Sequence, residues 1–245
     1  MLGKDLYIGT SGWNYYSFRE LFYPSHLKPK EWLAFYAKHF NTVEVNATFY
    51  KLPTLKTFEK WYKETPKEFI FSLKAPKVIT HIKRLKEVSS ELKEFLTRIS
   101  ALKEKALVLL FQLPPSLKYE AQILKEFLKI LPQDYLKVLE IRHQSFHCEE
   151  FVDLLREYKV GLCFSDCAGR YPSWYEVQTT DFLYLRMHGS KKLYVSNYEE
   201  EELQALAQKI DFYSVKRAFI YFDNTSLGYA ILNAKRLKEL IEEVK

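Results

Sequence analysis

Eight short runs of β-branched and aromatic residues recur along the chain, and stretches of helical periodicity separate most of them. The runs are 5–9 (DLYIG), 42–46 (TVEVN), 69–74 (FIFSLK), 106–112 (ALVLLFQ), 137–142 (KVLEIR), 160–166 (VGLCFSD), 182–188 (FLYLRMH) and 217–223 (RAFIYFD). Between them, 29–40, 54–64, 89–102, 120–131, 149–159, 199–210 and 233–245 repeat apolar residues at helical spacing. The first of these opens with Pro29 in its first turn and the second with a Thr54 cap. Only 167–178 (CAGRYPSWYEVQ) reads as an aromatic loop. Alternation of this kind imposes parallel strands, because a parallel pair needs a crossover of about a dozen residues or more. Eight such units in 245 residues match an α/β fold, a single TIM-type (β/α)8 barrel over 1–245 with parallel strands and outer helices. The rival is a doubly wound open sheet, which wants a glycine fingerprint after its first strand. Residues 9–16 (GTSGWNYY) lack that spacing.

A barrel of this kind carries its chemistry at the carboxyl ends of its strands, so those ends matter most. They hold Ser11 and Trp13; Glu44 and Asn46; Ser72 and Lys74; Gln112; Glu140 and Arg142; Asp166; Arg186 and His188; Asp223 and Asn224. Many of these polar residues come two apart, and residues two apart on a strand share a face. If that face is inward, Glu44/Asn46, Ser72/Lys74, Glu140/Arg142 and Arg186/His188 converge on one mouth. Glu140 with Arg142 alone reads more simply as a structural ion pair. The same phase on several strands favours a polar site above an apolar barrel core, since buried charge is costly unless it is paired or serves a ligand.

Composition narrows the remainder. The net charge of +6 suits an anionic ligand, although lysine-rich helix faces produce the same sum. Three cysteines without a CxxC pair give neither a disulfide framework nor a zinc knuckle. No apolar leader and no run approaching 18 apolar residues stand in the sequence, so a cytoplasmic protein without a membrane span is expected. The oligomeric state is not legible.

The segments 8–13 (IGTSGW), 43–53 (VEVNATFYKLP), 70–77 (IFSLKAPK), 109–116 (LLFQLPPS), 139–146 (LEIRHQSF), Asp166, 184–189 (YLRMHG) and 221–234 (YFDNTSLGYAILNA) follow one another over nearly the whole chain. In these it resembles the YecE-like family of TIM-barrel proteins, catalogued as domain of unknown function 72. The resemblance implies a TIM-barrel-like fold and no particular reaction. It also carries an analogy to DNA-repair endonuclease barrels, which is an argument from fold alone. Asp223 departs from the family pattern, in which Asn precedes the Asn at position 224.

Three chemistries compete. The favoured one is a metal-independent acid–base enzyme (hydrolase, lyase or isomerase type) acting on a small phosphorylated or sugar-like anion. Lys74, Arg142 and Arg186 would hold the anion. Glu44, Glu140 and Asp166 would serve as general base or acid and His188 as proton shuttle. Asn46, Gln112 and Asn224 would orient hydroxyls or carbonyls, under an aromatic rim of Trp13, Phe49, Tyr50 and Trp174. For any single one of those aromatics, core packing is the blander reading. The second is one divalent metal on Glu140, Asp166, His188 and Asp223; neighbouring Arg142 and Arg186 argue against it. His26, His39 and His81 read as surface residues. The third is a nucleic-acid-binding or nucleic-acid-processing barrel built on 171–175 (YPSWY) with Lys74, Lys77, Lys191 and Lys192. A barrel that binds its ligand without turnover is the remaining alternative.

Overall fold

The computed structural model describes residues 4–243. Its strands are β1 (Asp5–Thr10), β2 (Thr42–Val45), β3 (Ile70–Lys74), β4 (Ala106–Gln112), β5 (Leu136–Glu140), β6 (Val160–Asp166), β7 (Phe182–Met187) and β8 (Arg217–Phe222). Every neighbouring pair runs parallel, in the order β1-β8-β7-β6-β5-β4-β3-β2. The helices are α1 (Trp32–Tyr36), α2 (Ala47–Tyr50), α3 (Leu55–Glu64), α4 (Ser89–Ile99), α5 (Ala121–Lys129), α6 (Glu149–Glu157), α7 (Glu200–Phe212) and α8 (Tyr229–Glu243). The eight-stranded (β/α)8 architecture expected from the alternation is therefore the observed one. Thr54 caps α3 as its sequence position implies, its hydroxyl accepting from Thr57 N.

The differences are local. α2 is one turn long and has no sequence periodicity to announce it. The final helix begins at Tyr229, four residues before 233, because Gly228, at φ +81, supplies the left-handed turn that lets the helix follow β8 so closely. Residues 244 and 245 of that expected helix lie outside the described residues. Among the described residues, no helix is long and apolar enough to cross a membrane.

Two cores follow from strand alternation. Val108, Leu110, Val138, Cys163, Phe182, Tyr184, Phe219 and Tyr221 fill the barrel interior. The other face of each strand, for example Val43, Leu139, Phe164 and Leu185, packs against the helices. Towards the carboxyl ends, the inward positions turn polar.

The seam between β1 and β2 closes differently from the other seven. A single bridge, Ser11 to Glu44, joins the strands there, and side chains supply the remaining bonds. The Tyr36 hydroxyl accepts from Thr10 N at 2.8 Å and reaches Thr42 O at 3.2 Å. Asn41 Nδ2 donates to Leu6 O at 2.7 Å. Gly9 leaves room for this arrangement, since a Cβ there would stand 2.4 Å from Thr42 O and 2.8 Å from the Tyr36 hydroxyl. Tyr36→Phe keeps the ring but strands a buried donor and acceptor. It should cost about 1–3 kcal/mol of stability in urea unfolding; an unchanged midpoint would show that the seam closes without the phenol.

Candidate functional site

Glu44, Glu140, Arg186, His188 and Asp223 meet across the barrel at the carboxyl ends of β2, β5, β7 and β8. Arg186 is the hub, fully buried on β7. Nε donates to Glu44 Oε2 at 2.9 Å and Oε1 at 3.1 Å. Nη2 donates to Glu44 Oε1 at 2.7 Å and Asp223 Oδ2 at 3.2 Å. Nη1 donates to Glu140 Oε2 at 2.7 Å and meets His188 Nε2 at 3.2 Å. A guanidinium has five N–H donors, and these contacts occupy all five.

The carboxylates are held from other sides as well. Glu44 accepts from Ser11 Oγ at 2.7 Å and from the Tyr184 hydroxyl at 2.6 Å. Ser72 Oγ lies 2.7 Å from that phenol, so a hydroxyl relay descends into the barrel. Glu140 accepts from Arg142 Nε at 3.0 Å and Ser165 Oγ at 3.3 Å, with Arg142 Nη2 at 2.9 Å. Burial alone would raise the Glu140 pKa, but the Arg186 and Arg142 guanidiniums hold it well below the usual carboxylate range. Asp223 is likewise depressed, because contact with His188 and the charge of Arg186 override its desolvation. Ion-paired carboxylates with depressed pKa values stay charged at neutral pH.

His188 is buried. Desolvation, then Arg186, lowers its pKa. A guanidinium can only donate, so the Arg186 contact needs an unprotonated Nε2 and places the proton on Nδ1. Nδ1 stands 2.9 Å from Asp223 Oδ2 but without the alignment a hydrogen bond needs.

Two cations edge the cluster towards the mouth. Arg142 is 8% exposed, uses the Nε–Nη2 edge of its guanidinium on Glu140, and lies 4.9 Å from the Tyr171 ring. Lys74 is 9% exposed, and its ammonium sits 4.3 Å from the centre of the Phe49 ring. Burial, followed by Arg186, lowers its pKa to about 8.

Other expected residues stand elsewhere. Asp166 shares the outward face of β6 with Phe164; its carboxylate accepts from Ala168 N at 3.1 Å and the Tyr198 hydroxyl at 2.8 Å. It lies apart from the cluster because strand parity turns it away, and Ser165 faces inward instead. Trp174 packs towards Phe164 and Lys209 and bonds Glu176, outside the mouth. Asn224 Nδ2 ties β8 to Ser196 O and Asn233 Oδ1. Gln112 donates to Leu113 O. Trp13, Asn46 and Tyr50 line a cleft of about 330 Å³ with Gly12, Tyr15 and Trp61, beside the cluster. Asn46 Oδ1 is buried there without a hydrogen-bond partner among the described residues.

His81, expected at the surface, packs edge-on to Phe49 at 4.9 Å. Burial and Lys74 lower its pKa to about 4. Tyr171 and Tyr194 also join the site, Tyr194 edge-on to His188 at 5.3 Å. Both sit in loops whose sequences carry no periodicity. Tyr184 and Ser165 were legible in principle, because they share strand parity with Arg186 and Cys163.

For a metal, Glu140, Cys167 and His188 place ligand atoms within 4.8 Å of one another. The set fits a cation poorly. Glu140 already serves two guanidiniums, burial pushes the Cys167 thiol up, and His188 Nε2 faces Arg186.

The sequence from 7 to 245 matches the family described as protein of unknown function DUF72. The UPF0759 protein YunF of Bacillus subtilis (strain 168) is 27% identical over 271 residues, covering 97% of this chain and 95% of YunF. The UPF0759 protein YecE of Escherichia coli (strain K12) is 34% identical over 142 residues, covering 58% of this chain and 50% of YecE. The crystal structure of a DUF72 family protein from Thermotoga maritima MSB8 superposes with a TM-score of 0.88 at 30% identity, covering 97% of this chain and 99% of that one.

Two outcomes follow from the cluster. Arg186→Leu leaves Glu44, Glu140 and Asp223 without their common partner, and should lose about 3–5 kcal/mol or more. Adding Glu44→Gln should recover part of that loss; strictly additive losses in urea titrations would contradict the coupling. Stability should also fall as pH drops from 6.5 towards about 4, because the unfolded chain then takes up protons that His188 and His81 refuse in the native state. Glu140 and Asp223 extend the loss at still lower pH. A profile flat down to about pH 5 would contradict the lowered pKa values of these two imidazoles.

Proposed function

The chain belongs to the DUF72 family, a family described without an activity, and we propose that the barrel mouth is a metal-independent acid–base site for a small anionic, phosphorylated or sugar-like molecule. The observation that carries this is the division among the cations. Arg186 has no donor left, whereas Arg142 and Lys74 keep donors without protein acceptors among the described residues. Charge-assisted hydrogen bonds from two such groups select a phosphate or carboxylate.

The role first expected of Arg186 passes to these two residues, and Arg186 becomes the group that positions the carboxylates. Proton transfer falls to the groups with some access to the mouth. Lys74, held at about 8, is matched to work near neutrality. Asp223, 8% exposed, is the most accessible carboxylate of the cluster. Glu44, Glu140 and His188 are enclosed and set the field around them. The neighbouring cleft, lined by Trp13, Tyr15, Tyr50 and Trp61, offers apolar faces for a sugar or ring.

Calorimetric titration with inorganic phosphate and with sugar phosphates tests the reading. Lys74→Met and Arg142→Met should each weaken binding about tenfold or more, the loss of one charge-assisted bond. Full affinity in both variants would overturn the anion site. Salt-sensitive retention on single-stranded DNA that survives both substitutions would support the nucleic-acid alternative instead.

A further inference from the structure

Buried lysines ordinarily find acceptors, and two others in this chain do. Lys105, 3% exposed, donates to Tyr62 O at 2.7 Å, Thr65 O at 2.8 Å and Thr65 Oγ1 at 3.1 Å. Lys137, also 3% exposed, reaches Gln133 Oε1 at 3.3 Å. Lys74 is the exception: among the described residues its ammonium has neither a hydrogen-bond acceptor nor an ion-pair partner, only the Phe49 face. The carboxylates of the neighbouring cluster are turned to Arg186 and Arg142. A fixed guanidinium therefore stands near an amine whose countercharges are committed elsewhere, in the arrangement that favours a neutral, nucleophilic nitrogen.

The geometry points to Lys74 as an imine-forming nucleophile for an aldehyde or ketone that carries an anionic group, which Arg142 would hold. The inference rests on the anion-site reading above and names its substrate class. The amine adds to the carbonyl carbon, forming a C–N bond as the C–O π bond opens. The carbonyl oxygen then leaves as water, carrying two protons that were on the lysine ammonium. In balance, one ammonium and one carbonyl become one protonated imine and one water, with no oxidant or reductant. The lowered pKa of about 8 agrees with this. At pH 7 it leaves about a tenth of Lys74 as free amine, against a few in ten thousand for an unperturbed lysine.

The test is trapping on the full chain, with glyceraldehyde 3-phosphate and cyanoborohydride at neutral pH, followed by peptide mapping. Lys74 should be labelled at least about tenfold faster than any other lysine, and inorganic phosphate should compete. Lys74→Arg, which keeps the charge, should lose the selective adduct while surface labelling persists. Label spread evenly over surface lysines overturns the inference. Phosphate binding measured on the same protein separates the two claims. Phosphate bound with Lys74 unlabelled overturns the imine alone; neither binding nor selective label overturns the anion site with it.

Discussion

A guanidinium removed from water needs an acceptor for each of its five N–H groups, and Arg186 finds them on residues drawn from four strands. That demand explains the upper barrel. Glu44 comes from β2, Glu140 from β5, His188 from the end of β7 and Asp223 from beyond β8, so the ion pairs span the barrel as well as the sheet. Three carboxylates are paired with Arg186 and Arg142, and Lys74 stands beside them without an ion pair among the described residues. Such a cluster is poor evidence for stability in itself, since well-packed apolar residues often do as well. It is better understood as an arrangement that fixes where charge lies.

The cluster also helps close the barrel. Glu44 forms the one bridge of the weak seam with Ser11 and receives the Tyr184 hydroxyl. The seam's other bonds come from Tyr36 and Asn41. Closure and site organisation thus meet at one residue, Glu44.

Much of this was legible in the sequence for a simple reason: period-two polarity at the ends of apolar strands survives folding unchanged. Glu44, Lys74, Glu140, Arg142, Arg186 and His188 all face inward as that parity requires. Asp166 breaks the pattern by one residue, and one residue turns a side chain to the other face. Trp174 and Asn224 lie in loops, where composition gives no direction. What pattern could not reveal is saturation. Lys74 and Arg186 look alike as strand-end cations, yet one has every donor engaged and the other has none engaged with a protein acceptor. That difference, read among the described residues, depends on distances between strands far apart in sequence.

The central claim is that Arg186 organises the site while Lys74 and Arg142 receive the ligand. A high-resolution crystal structure of protein purified without chelator and soaked in phosphate, with anomalous data for metals, addresses it most directly. The account predicts a phosphate on Lys74 and Arg142, with Arg186 still bound to Glu44, Glu140 and Asp223. A phosphate on Arg186, or a metal between Glu140 and His188, would contradict it.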